Sequence, residues 1–154
     1  MKLCVALALL VGFLIAADAK DDSTKKDSEK LQGTWIVVAG EQGGKKFSDQ
    51  LLKDIGSKWT FAGGKVLIQD GALKIQGSYK LDATKKPKTI DLTLQKPEGA
   101  NGPPTVVVQG IYELDGIQLR LCMTDKERPK AFTAKDPDCR LLTFRRDHAT
   151  KKNE

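Results

Sequence analysis

The chain has 154 residues, of which 26 are Lys or Arg and 20 are Asp or Glu, so its net charge is +6. That length makes one domain, large enough to bury a core without obligatory staples. The cations are scattered in pairs (Lys25-Lys26, Lys45-Lys46, Lys85-Lys86, Arg145-Arg146, Lys151-Lys152), which describes a charged surface and excludes the basic, aromatic-lined stripe of a nucleic-acid binder.

Lys2, the apolar run over residues 3–17 and the small-x-small sequence Ala17-Asp18-Ala19 read as a secretory signal peptide, residues 1–19, with a mature start at Lys20. The run falls short of the roughly 20 residues of a spanning helix. No later segment is apolar enough to cross a membrane. Residues 20–30 (KDDSTKKDSEK) hold no apolar side chain and are expected to form a disordered leader. Residues 148–154 are expected to be a polar tail, which leaves 31–147 as the folded domain.

A first strand is expected over 34–39, then a glycine-rich connection, then a short helix over 48–56. Ser48 suits its N-cap, Asp49 its first turn and Gly56 its C′ position. Strands follow at 58–62 and 65–69 around Gly63-Gly64. Asp70-Gly71 is a hairpin signal, because a type I′ turn needs positive φ at both central residues. The next strand, 73–81, alternates Leu73, Ile75, Gly77, Tyr79 and Leu81 with polar residues, which means one buried and one wet face. Strands at 89–94, 105–114, 118–123 and 140–146 complete the set. A second Asp-Gly turn, Asp115-Gly116, joins the 105–114 and 118–123 strands.

A pattern of glycine, aromatic and aliphatic at alternate positions recurs at Gly33-Trp35-Val37, Gly77-Tyr79-Leu81 and Gly110-Tyr112-Leu114. Alternate residues of a strand share a face, and an inward glycine leaves room where a sheet bends sharply. Eight short antiparallel strands with one wet face point to an all-β, up-and-down barrel with one short helix after the first strand. An open two-sheet sandwich is the alternative. Barrels of this strand number are either filled by side chains or hold one small ligand.

With the strands placed, the chain resembles the lipocalin and calycin barrels. Those begin with Gly-x-Trp and end with an arginine over the tryptophan; the counterparts are Gly33, Trp35 and Arg146, or Arg145. A guanidinium over an indole closes one barrel end by cation–π contact. The ordered segments Leu31-Gln32-Gly33-Thr34-Trp35, Pro87-Lys88-Thr89-Ile90-Asp91-Leu92, Gly110 to Gly116 (GIYELDG), Leu119-Arg120-Leu121-Cys122 and Arg128-Pro129 are similar to a family of small exported proteins expanded in planctomycete bacteria. That resemblance implies export and the fold, and carries no assigned activity. Cys122 belongs to the family's pattern, and Cys139 is an addition to it.

The chemistry is sparse. The lone histidine, His148, lies in the tail, so no imidazole base stands beside a nucleophile within the fold, and the cysteines lack partners for zinc. Asp91 and Glu113 fall on outward faces of separate strands, and Asp82 and Asp115 sit at turns, where Asp bonds local backbone. No enzymatic activity, cofactor or metal is expected. Cys4 leaves with the signal peptide; export permits a disulfide between Cys122 and Cys139, with two separately buried thiols as the alternative. Trp35, Trp59, Phe61, Tyr79 and Tyr112 are the inward aromatics, either core or the lining of a ligand pocket.

The leading expectation is an exported monomer, periplasmic, envelope-bound or secreted, that holds a small apolar or amphipathic ligand in the barrel with the short helix as a lid. The alternative is an envelope interaction protein with a solid core, which binds a protein or anionic polymer through its surface. Lys126, Arg128, Lys130 and Lys135 make the long loop a candidate contact, partly offset by Asp125, Glu127, Asp136 and Asp138.

Overall fold

The computed structural model describes residues 18–148. Residues 1–17, most of the expected signal peptide, and residues 149–154, most of the expected tail, lie outside the described residues. The elements are α1 (Asp18–Leu31), β1 (Gly33–Gln42), β2 (Lys45–Lys46), α2 (Asp49–Ile55), β3 (Lys58–Ala62), β4 (Lys65–Asp70), β5 (Leu73–Asp82), β6 (Lys88–Gln95), β7 (Thr105–Leu114), β8 (Gln118–Thr124) and β9 (Arg140–Arg146). Eight strands, β1 and β3 to β9, pair antiparallel with their sequence neighbours, and β9 returns to β1. The result is a closed up-and-down barrel, as the alternation implied, and closure leaves no free edge. The two-residue β2 is a stub on the far end of β1.

Closure runs from Trp35 opposite Arg146 to Gln42 opposite Arg140, with one bulge between Val37 and Ala39. The wall bends where glycines face inward. At Gly77 a Cβ would come within 2.4 Å of the Thr93 carbonyl oxygen and 3.1 Å of Leu94 Cα, so any side chain would push β6 away. Alternate residues then fill the interior with one continuous apolar cluster.

The short helix α2 starts and stops as its sequence dictates. The Ser48 side chain accepts from the Leu51 N–H, and Gly56 adopts the left-handed conformation (φ 54°, ψ 42°) while its N–H donates to the Leu52 carbonyl.

One expectation is corrected. The segment 20–30, read as a disordered leader, lies within the helix α1. Its stability does not come from an apolar face, which it lacks. It comes from polar links to the barrel and from one residue, Leu31, which is 0% exposed. The Thr24 hydroxyl accepts from the Ala83 N–H at 3.1 Å. Just after the helix, the Gln32 amide donates to the Tyr79 hydroxyl at 2.8 Å and accepts from the Gly63 N–H at 2.9 Å. Among the described residues, no helix is long and apolar enough to cross a membrane.

Candidate functional site

The five inward aromatics converge inside the barrel. Trp35, Trp59, Phe61, Tyr79 and Tyr112 are each at most 7% exposed. Trp59 meets Phe144 edge-on with ring centroids 5.2 Å apart, and Phe61 meets Tyr79 in the same way at 5.2 Å. These are the preferred arrangements of packed aromatic cores. Phe144, which had not been singled out, is fully buried; its alternation with Leu142 in β9 is the signal that marks it. At the end covered by α2, a cavity of about 70 Å³ lies between Phe47, Leu52, Ile55, Trp59 and Leu142. Drug-sized ligands occupy roughly 300–1,000 Å³.

The opposite end is sealed by polar contacts. The Arg146 guanidinium lies 4.2 Å above the Trp35 ring. It donates to the Gln32 carbonyl at 2.7 Å, to the Gly116 carbonyl at 2.9 Å and to the Lys30 carbonyl. The Trp35 indole N–H donates to the Leu31 carbonyl at 2.8 Å. Gly33, at φ +108°, stands where a Cβ would crowd the guanidinium at 3.1 Å. Arg145 instead pairs outward with the start of β8, opposite Gln118.

A buried acid completes that seal. Asp27 is 5% exposed. Its Oδ2 accepts from the Tyr112 hydroxyl at 2.8 Å and from Lys88 Nζ at 2.7 Å. Burial, and then the bond to Asp27, hold the Tyr112 hydroxyl protonated well above its ordinary pKa of 10.0. Sequence reasoning missed Asp27 because nothing near it in the chain announces its partners, 61 and 85 residues away.

Outside the barrel, a groove of about 540 Å³ runs beside this end. The turn Lys85-Lys86-Pro87, whose Lys86–Pro87 bond is cis, forms one side. Leu114 and Phe132 supply apolar surface, and Arg120 stacks on the Phe132 ring at 4.8 Å. Lys88 is engaged by Asp27 and Glu113 by Arg120. Lys85 and Lys86 are exposed and form no ion pair among the described residues.

The long loop from 125 to 139 leans on the outer wall. Arg128 donates to the Gly110 carbonyl at 2.8 Å and pairs with Asp91. Lys126 pairs with Asp138, and Lys130 with Glu127 at 3.1 Å. Three of the four loop cations expected to meet a partner are therefore matched within the protein. Asp91 and Glu113 each face an arginine and not a second acid. Asp115 accepts from the Gln118 and then the Ile117 N–H group, which lowers its carboxyl pKa.

Under this loop, Cys122 and Cys139 lie with their sulfurs 3.0 Å apart. Both are buried, in a second small cluster with Ile111, Phe132 and Leu141. Burial, and then the neighbouring thiol, push the Cys139 thiol up to about 12.

No protein-family model matches the chain, and no curated protein does. The fold is similar to a crystal structure described as an LTBP1 complex with LTC4, with a TM-score of 0.51 and 9% sequence identity. The match covers 82% of this chain and 73% of that one. At that identity the likeness bears on the barrel fold alone.

Proposed function

We propose that this protein is an exported, non-catalytic interaction module that uses its outer groove to hold an anionic polymer of the cell envelope. The observation that carries the reading is the filled interior. Ring-to-ring packing of Trp59, Phe61 and Tyr79, with the near-complete burial of Trp35 and Tyr112, makes these aromatics core, which moves the binding surface to the outside. The groove supplies that surface. Lys85 and Lys86 are unengaged cations beside apolar Phe132 and Leu114, a combination that suits a negatively charged chain with an apolar backbone. The signal-peptide pattern and the planctomycete resemblance support export. The pairing of Asp91 and Glu113 with arginines supports the absence of a carboxylate-based reaction.

Retention of the mature protein on immobilised dextran sulfate tests this. Retention should fall steeply with salt. Exposed charges contribute roughly 0.5–1 kcal/mol each, so the Lys85→Gln/Lys86→Gln double variant should bind about tenfold more weakly. An unchanged double variant would remove the groove from the account.

A second reading has one observation behind it. α2 has no buried residue of its own, so it is a loosely held cover over the 70 Å³ cavity. An apolar ligand that displaced it would enter between Trp59 and Phe47.

A further inference from the structure

We propose that Cys122 and Cys139 are joined by a disulfide in the exported protein, and that this bond staples the outer loop to the barrel wall. Cys122 lies on β8, opposite Leu141 of β9, and its neighbours Leu121 and Met123 belong to the interior cluster. It therefore points out of the barrel, to the side where the loop lies. Cys139 comes just before β9 and approaches the same spot from the loop. The sulfurs stand 3.0 Å apart, within reach of a bond of about 2.05 Å by small side-chain rotations. Both also lie near the Thr133 carbonyl, at 3.4 and 3.3 Å, so two points of the loop, Thr133 and Cys139, meet the strand residue Cys122 there. No group of three or more His, Cys, Asp or Glu residues that could hold a metal ion exists among the described residues. The pair is thus arranged for a bond to each other.

The oxidant is a second disulfide, from a small molecule or an oxidising protein of the export compartment. One cysteine thiolate attacks it and forms a mixed disulfide, releasing the first thiol. The other cysteine thiolate then displaces the second thiol. Two cysteine thiols lose two electrons and two protons, and the oxidant becomes two thiols. Cys139 lines a cleft of about 410 Å³ beneath the loop, whereas Cys122 is fully buried, so Cys139 is the one that meets the oxidant.

The bond closes a loop that carries Arg128, the tie to Asp91 and Gly110, and Phe132, the platform for Arg120. Loss of the bond should free that loop first. The test uses the mature protein recovered from an exporting host and denatured in N-ethylmaleimide. The expected result is an intact mass roughly 2 Da below the reduced chain, with no label incorporated. Incorporation of two labels would overturn the proposal. Trypsin adds a readout on the folded protein, at Lys126, Lys130 and Lys135. The oxidised form should be cut in the loop about tenfold more slowly than the reduced form, because cleavage follows local opening. Equal cleavage rates would show that the bond does not staple the loop. The Cys122→Ala/Cys139→Ala variant should match the reduced wild type in this assay. If it fails to fold, reduction of the wild type alone still decides the question.

Discussion

The two ends of the barrel are covered by helices of opposite character, and their sequences suggest the reverse of what they do. α2 is amphipathic, with Leu51, Leu52 and Ile55 on one helix, yet it buries none of them fully. α1 reads DAKDDSTKKDSEKL and has no apolar face, yet it carries a fully buried Leu31 and a buried Asp27. The difference lies in what each helix can reach. α2 rests on apolar rims by one side. α1 is tied by directed bonds to the turn after β5 through Thr24, to β7 through Asp27, to the last strand through the Lys30 carbonyl and to β1 through the Leu31 carbonyl. Directed polar contacts to a preformed wall fix a helix that hydropathy alone leaves loose.

The comparison breaks most readily at Leu31. Its replacement by Ala should cost about 3 kcal/mol, the usual range for a fully buried leucine being 2–5 kcal/mol. The midpoint of urea unfolding reads this directly. A cost under 1 kcal/mol would mean that α1 is an ornament on the barrel.

Tyr112 gives a smaller effect with a signature in pH. Tyr112→Phe removes a donor to a charged acceptor, at about 1.5 kcal/mol. The folded pKa lies above the ordinary 10.0, so the protonated hydroxyl stabilises the fold fully below pH 10. That contribution is lost as the pH rises beyond 10. The wild type should therefore lose stability above pH 10 more steeply than Tyr112→Phe. Parallel curves for the two proteins would place the hydroxyl outside the clamp.

The smallest effect is expected at the other end. Leu52, only partly buried, should cost about 1 kcal/mol when changed to Ala. A Leu52→Ala cost equal to that of Leu31→Ala would erase the distinction between the two ends.

The strands were legible because each has one wet face, so period-two alternation survives in the sequence. Lys58–Ala62, Thr105–Leu114 and Arg140–Arg146 stand at the residues expected of them. α2 was legible from its caps, Ser48 and Gly56. The α1 helix was not legible, because the groups that hold it come from Tyr112, Ala83 and Arg146, far along the chain. The groove was hidden for the same reason. Lys85-Lys86-Pro87 reads as a turn, and Phe132 lies in a loop without periodicity until Arg120 stacks on it. The cysteine spacing said nothing of distance; the register that sets Cys122 opposite Leu141 does.

The account stands on a solid interior, with binding at the surface. Native mass spectrometry of the protein, purified from the cells that make it, tests that most directly. The account predicts the mass of the bare polypeptide, the same before and after denaturation. A mass excess that vanishes on denaturation would place a small ligand inside the barrel and contradict it.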